Sequence, residues 1–550
     1  MNERYLDLMD KTLDAYSTAH IERYFDDVRR GGLREHGFPR LTANMGILIA
    51  HSRRLDLKPL FLDMMDFCCS TIPHVHAANE FSVREIIFCI IELERAGAVE
   101  PERIAAWKAD LATIDPFTCY DKIAHKPEDK VHNWACFALV SEWMRQYIGL
   151  CDATEFVGIQ LPTQLCRIEE NGMYRDPHNP MVYDLVPRGL LSLLLHFGYR
   201  GEYYGEIDDH LRRAGLLTLE MQSVTGEIPY GGRSAQFVHN EAMMVVSLEF
   251  EARRYAAEGD MALAGRFKHA ISLALDNIAG WLAKTPIRHT KNRFPTETKY
   301  GCEGYAYFDK YMITAASFLY AAASICDDSI PAVPPAAHTA AVQTSHHFHK
   351  VFLRAGDYFA ELDTDADPHY DASGLGRVHR AGAPSPICLT VPCPAEPKYR
   401  IDTDAPIPFA ICPAVCRDGV WQDGTAAVYA VETLSHDDTT ATAVLTCTIA
   451  DTPVRMTVTV SAAGVEVAAE GEGEIALMLP AFTFDGTDHP AIAVDETSLT
   501  VTYDGWHCRS TTDGTLADTG AIVRNRSGHY RVFRAARQGR VTAAIAIGPA

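Results

Sequence analysis

Over the first 328 positions, apolar residues recur at three- and four-residue steps. In residues 79–97 (NEFSVREIIFCIIELERAG), Phe81, Ile86, Ile87, Ile90 and Ile91 fall on one face, and Gly97 stands where a helix would stop. Similar blocks follow at VHNWACFALVSEWMRQYIGL, VYDLVPRGLLSLLLHFGYRG, EYYGEIDDHLRRAGLLTLEMQ, HNEAMMVVSLEFEARRYAA, MALAGRFKHAISLALDNIAGWLAK and YFDKYMITAASFLYAAASI. With the segments before residue 79 they predict roughly a dozen helices, one every ~25–30 residues. No sustained heptad and no solenoid consensus accompanies them. Broad apolar faces joined by loops rich in Gly, Pro, His and Tyr predict helical hairpins packed around a common axis.

After Cys326 the period changes. The stretch DDSIPAVPPAAHTAAVQTS reads as a linker, and beyond it come short alternating runs such as HKVFLRAGDYFAELDT, TATAVLTCTIA, VRMTVTVSAAGVEVAAEG and HYRVFRAARQGRVTAAIAI. Rich in Val, Thr, Ala and aromatics and broken by DG and SG turns, they predict antiparallel strands, and about 205 residues of them a β-sandwich. The expected organisation is α then β in more than one domain: a helical unit over 1–328, a linker over 329–345 and a sandwich over 346–550.

Composition narrows the function classes. The 550 residues are 47% hydrophobic and 22% charged, with 50 Lys+Arg against 72 Asp+Glu and a net charge of −22. That is a globular composition, and a surface this acidic disfavours nucleic acid. After residue 345 only Lys350 and Lys398 are lysines. The N-terminal MNERYLDLMDKTLDAYS does not read as a secretory signal, no long uncharged apolar stretch predicts a membrane span, and 15 scattered cysteines without a CxxC pair read as reduced thiols. A cytoplasmic protein without a metal or cofactor is the expectation. P-loop, dinucleotide, GxSxG and HExxH motifs are absent from the sequence.

Chemistry concentrates in polar loops at predicted helix starts. Residues 171–188 (NGMYRDPHNPMVYDLVPR) bring Tyr174, Arg175, Asp176, His178, Tyr183, Asp184 and Arg188 together. The plainer alternative is a capping turn in which Asp184 or Asn179 caps the next helix and Arg188 pairs with Asp184. Residues 226–241 (GEIPYGGRSAQFVHNE) carry Tyr230, Arg233, Ser234, Gln236, His239, Asn240 and Glu241; the spacing of 233, 236 and 240 predicts one helix face. Glu80 follows His74 and His76 at another helix start, His132 and Asn133 precede Trp134 at a third, and Glu303 lies among Tyr300, Tyr305, Tyr307 and Tyr311. Arg offers a planar fork for a carboxylate, Asn and Gln offer donors and acceptors, and tyrosines suit sugar rings.

A helical toroid followed by a β-sandwich, with "GMYRDP…YD" and then "IPYGGRS" at successive helix starts and GDYFAELDTDADPHYDASGLGRVHR over 356–380, resembles the (α/α) toroid carbohydrate-active enzymes of the heparinase II/III and chondroitin/hyaluronate lyase type. Within that group it is most similar to glycoside hydrolase family 154, the β-glucuronidase-like proteins. The lyase resemblance implies that Asn133 and Arg233 neutralise a uronate carboxylate and that His178 takes part. The family's proton-donating Tyr, nine residues after that His, is replaced by Pro187, leaving Tyr183, Tyr174 or Tyr230 as substitutes. Hydrolysis needs two carboxyls roughly 5–9.5 Å apart. The candidates are Glu80, Asp176, Asp184, Glu241 and Glu303, with Glu80 and Glu241 as the expected pair and Asp176 or Asp184 as the main competitor. Arg233, His132 and His239 would then read the carboxylate, with Tyr174 and Tyr305 against the ring.

The leading expectation is an exo-acting hydrolase releasing β-linked glucuronic acid. The alternatives are a uronate lyase and a non-catalytic sugar-binding protein. The expected partner is a carbohydrate with a uronic acid end, and a homodimer is plausible on the resemblance. Some toroid lyases carry a metal in the sandwich, for which His369, Asp371 and His379 would be the place, but their spacing is too loose to commit to one.

Overall fold

A computed structural model of the chain describes residues 2–124, 126–178, 180–335 and 338–550. Its helices are α1 (Glu3–Leu13), α2 (Thr18–Gly31), α3 (Gly37–Ala50), α4 (Lys58–Thr71), α5 (Val83–Ala96), α6 (Pro101–Ala112), α7 (Pro116–Cys119), α8 (Trp134–Tyr147), α9 (Thr154–Leu165), α10 (Met181–His196), α11 (Tyr204–Met221), α12 (Asn240–Ala257), α13 (Met261–Leu282), α14 (Phe308–Tyr311) and α15 (Thr314–Ile325). Six of them form a closed inner ring: α3 packs on α5, α5 on α8, α8 on α10, α10 on α12, α12 on α15, and α15 back on α3. Outside it lie α4, α6, α9, α11, α13 and α1, each against an inner helix. This is an (α/α) toroid.

The inner helices are buried on almost every side, which is why their apolar stripes are broad. In α5, Ile86, Ile87, Ile90 and Leu93 are wholly buried. The helix stops as its sequence predicts: Gly97 adopts φ +60°, and its N–H reaches back to the Glu94 and Leu93 carbonyls.

The β half is entirely antiparallel. Strands β1 (Ala340–Gln343), β2 (Lys350–Ala355), β3 (Tyr358–Asp363) and β4 (Gly374–Arg380) form one sheet in sequential order, and β1 lies within the stretch read as linker. The second sheet has eleven strands, centred on the long pair Gly464–Phe484 and Gly528–Pro549. The two sheets face each other through a shared core that includes Val351, Leu353, Leu362, Val458, Val460, Val467 and Ile545. No helix among the described residues is long and apolar enough to cross a membrane.

The four-stranded sheet docks on the toroid through buried charge. Glu361 on β3 accepts from the Tyr230 N–H at 3.0 Å and pairs with Arg377 of β4 at 3.0 Å, while Lys350 lies 3.6 Å from the centre of the Tyr230 ring. Tyr230 is therefore part of the junction between the halves, which rules out its expected place against substrate. Gly376 is required there, since a Cβ would fall 2.2 Å from the Tyr230 hydroxyl.

Candidate functional site

The N-terminal ends of the inner helices open onto one cavity of about 480 Å³. His36 and Arg40 line it from the start of α3, Asn133, Trp134 and Phe137 from α8, Tyr183 and Val186 from α10, His239 and Met243 from α12, and Thr314 from α15, while Ala78 and Phe81 just precede α5. None of these six helices has a side-chain N-cap hydrogen bond. Their positive dipole ends converge on the cavity, which favours an anion there.

The side chains add to that field. Five cations line the cavity (Arg34, Arg40, Lys122, Arg233 and Lys310) against one carboxyl, Glu35. Arg40 is committed to Glu85 at 3.2 Å and to Thr314 at 2.7 Å. Arg34, Lys122 and Lys310 form no ion pair among the described residues. Burial lowers the Lys310 ammonium from its ordinary value, opposed by Glu35.

The loop before α12 shapes one wall. Residues 233, 236 and 240 do not share a helix face: helix begins only at Asn240, and Gly231, Gly232, Ser234 and Gln236 all have positive φ. Gly232, at φ +72°, is pressed against Pro180, whose Cα would lie 2.5 Å from a Cβ. The resulting turn aims Ser234 Oγ between two phenols, 3.1 Å from the Tyr183 hydroxyl and 3.0 Å from that of Tyr305. The β half clamps this loop: Asp371 accepts from the Gly232 N–H at 3.0 Å, and Glu303, held by Arg526 at 2.7 Å, accepts from the Ser234 N–H at 2.6 Å.

Beside it stands a second constellation. Asp176 is buried, accepts from Asn133 Nδ2 at 2.9 Å and pairs with Arg233, whose guanidinium lies 4.5 Å from the centre of the Tyr183 ring. Burial raises the Tyr183 phenol above its ordinary value, and Arg233 works against that rise. His239 is stacked on Phe237 and held neutral, well below the usual imidazole range, by burial and by Arg40. His239 Nδ1, His36 Nδ1 and Asn133 Oδ1 are buried without a hydrogen-bond partner. Orphaned polar atoms around a cavity are groups awaiting a ligand.

Of the residues singled out from sequence, the fold brings Asn133, Tyr183, Arg233, His239 and Tyr305 onto the cavity. Asp176 sits directly behind them. Glu80 is buried behind the wall formed by Ala78 and Phe81; one oxygen accepts from the Lys122 N–H at 2.5 Å, the other has no partner, and burial pushes its carboxyl up to about 7. His132, its imidazole lowered by burial, stands next to Asn133 but does not line the cavity.

The remaining expectations are corrected. Glu241 faces the other way, accepting from Lys291 and from the Ile228 N–H in a buried cluster that also holds Glu227, so it cannot form the expected pair with Glu80 across the cavity. Burial raises its carboxyl, opposed by Lys291. Asp184 and Arg188 form a buried i,i+4 pair at 2.5 Å, as the plainer alternative has it, but Asp184 does not cap α10: it accepts from the Tyr174 N–H, and Pro180 stands at the N-cap without a side-chain cap hydrogen bond. Asn179 lies outside the described residues. Tyr174 is core, its hydroxyl donating to Gln164 at 2.7 Å. His178, 66% exposed, lies 3.6 Å from Asp367 at the surface. Asn240 is spent on the Ser234 carbonyl, Gln236 is buried away from the cavity, and Glu303 supports the loop from behind.

His369, Asp371 and His379 turn to separate partners: the Glu396 carbonyl, the Gly232 N–H, and Ser223 with Thr390. Among the described residues no three His, Cys, Asp or Glu side chains come together to hold a metal ion.

The sequence reading missed Arg34, Glu35, His36, Arg40, Lys122 and Lys310. The one available signal was the run REHGFPR at a helix start, as dense in polar groups as the loops that were singled out.

No family model matches the chain, and neither does any curated protein. Among solved structures it is similar to heparan sulfate lyase HepC from Pedobacter heparinus, at 10% identity and a TM-score of 0.39 over 87% of this chain and 78% of that one. A chondroitinase AC lyase gives 8% and 0.40 over 98% and 83%. A family 88 glycosyl hydrolase from Bacteroides vulgatus gives 12% and 0.38 over 58% and 98%.

Proposed function

We propose that the protein is a carbohydrate-active enzyme that cleaves a uronate-bearing saccharide by β-elimination in the toroid cavity. One observation carries this reading: a cavity lined by five cations and a single carboxyl sets Tyr183 under Arg233, beside Asn133 and the neutral His239. Arg233 and the second N–H of the Asn133 amide receive the substrate carboxylate, which acidifies the adjacent C5–H. His239 is an unprotonated imidazole with a free Nδ1, and a bound carboxylate raises its basicity. It accepts the C5 proton. The electron pair forms the C4–C5 double bond as the bond from C4 to the glycosidic oxygen breaks. The Tyr183 phenol, kept protonated by burial, gives its proton to the departing oxygen. Asp176 fixes Arg233 and Asn133, and Ser234, itself bonded to the Tyr305 hydroxyl, holds the Tyr183 hydroxyl in place.

Incubation with a panel of polyuronates and uronate disaccharides, followed by ultraviolet absorbance, tests the reading. A conjugated unsaturated uronate in the wild type that Tyr183→Phe no longer produces is the expected result. New reducing ends without that chromophore would contradict it.

One observation favours a second reading, the exo-acting hydrolysis of β-linked glucuronic acid. Glu80 carries a carboxyl pushed up to about 7, the state of a general acid, with one oxygen unpartnered behind the cavity wall. It lacks the second carboxyl that hydrolysis requires, since Glu35 is committed to the Tyr24 hydroxyl and the Gly37 N–H. Release of the aglycone from a chromogenic β-glucuronide, abolished by Glu80→Gln, would establish it.

A further inference from the structure

A second cavity, of about 420 Å³, lies where the toroid meets the sandwich and shares no lining residue with the first. Its size falls in the range of roughly 300–1,000 Å³ typical of small-molecule sites. Two half-buried indoles line it, Trp281 near the end of α13 and Trp506 at the start of strand Trp506–Thr512. Partly exposed indoles beside polar groups suit the apolar faces of a sugar ring.

The polar groups are built in. Ser527 is 3% exposed and its Oγ has no hydrogen-bond partner, and Asn277 Oδ1 is likewise buried and unpartnered while its amide nitrogen donates to the Thr225 carbonyl at 3.1 Å. Lys284 lies 5.5 Å from the centre of the Trp281 ring, and Lys291, 2% exposed, forms part of the floor. Charge does not select the occupant. Lys291 is already paired with Glu241, and Arg293 with Asp485 and Asp488. In contrast to the cation-rich toroid cavity, this one offers stacking surfaces and hydroxyl partners with little net field.

We propose that the junction cavity is a second saccharide-binding site, separate from the toroid cavity, which takes a neutral mono- or disaccharide through ring stacking on Trp281 and Trp506 and hydroxyl contacts to Ser527, Asn277 and Lys284. The proposal does not depend on which reaction the toroid cavity performs.

The test is saturation-transfer NMR and calorimetry on the full chain with cellobiose, maltose and lactose. The wild type and Arg233→Ala, which alters only the toroid cavity, should bind at least one of them equally. Trp281→Ala and Trp506→Ala should weaken that binding about tenfold or more. Should either alanine variant lose its fold, Trp506→Phe and Lys284→Ala take its place, and unchanged affinity in both overturns the proposal. So does the absence of binding of all three sugars to the wild type, or binding that disappears in Arg233→Ala and survives in the tryptophan variants.

Discussion

Glu80→Gln probes the buried carboxyl behind the cavity wall. In the folded chain burial raises Glu80 from 4.5 to about 7, against the opposing pull of backbone hydrogen bonds that include the Lys122 N–H. Between those two values the native state holds a proton that the unfolded chain has already lost, so stability falls as pH rises. The penalty is absent below 4.5, grows through the interval and levels off above about 7. A shift of that size corresponds to about 3 kcal/mol. Glutamine keeps the acceptor for the Lys122 N–H and cannot ionise. The variant and the wild type should therefore have similar urea midpoints at pH 5, and the variant should be more stable by about 2–3 kcal/mol at pH 8. A difference that is the same at both pH values, or a variant less stable at pH 8, would refute the account of Glu80 as an acid held neutral by burial. Elimination predicts that turnover survives in this variant, whereas hydrolysis predicts its loss.

Three further outcomes follow from the geometry. Lys291→Met leaves Glu241 buried without its counter-ion and should cost about 3–5 kcal/mol, read as a lower melting temperature and partly restored by adding Glu241→Gln. Gly232→Ala forces a Cβ against Pro180 at φ +72°; it should destabilise by about 1–3 kcal/mol and lower turnover by displacing Ser234. Asp176→Asn releases Arg233 and should lower turnover on the order of a hundredfold while far-UV circular dichroism stays unchanged; loss of the fold instead would make Asp176 a stability residue.

The toroid was legible because closed-ring packing imposes its own pattern. Inner helices touch neighbours on both sides, so α5, α10, α12 and α15 read as broad apolar runs with polar loops at their starts. The β half was legible from period-two alternation, as in Thr440–Ile449, where buried and less buried positions strictly alternate until the end. Site residues were legible where chemistry clustered in one loop: Arg233, His239 and Tyr183 came from the two runs that the fold places side by side. The role of each carboxyl was hidden, because it depends on which way a side chain turns at a helix start. Asp184 and Glu241 both stand in a first turn, yet one locks onto Arg188 four residues on and the other onto Lys291, 50 positions away. Nothing in local spacing distinguishes those from Asp176, whose partners are Asn133 and Arg233. Arg34, Lys122 and Lys310 acquire a common purpose only when the ring closes.

Elimination on a uronate in the toroid cavity, as proposed, leaves a direct optical signature. Ultraviolet absorbance during incubation of wild type and Tyr183→Phe with uronate oligosaccharides, with reducing ends counted in the same samples, tests it most directly. Elimination predicts an unsaturated chromophore rising in step with new reducing ends in the wild type, and neither in the variant. Reducing ends that accumulate without the chromophore, at equal rates in both proteins, would contradict it.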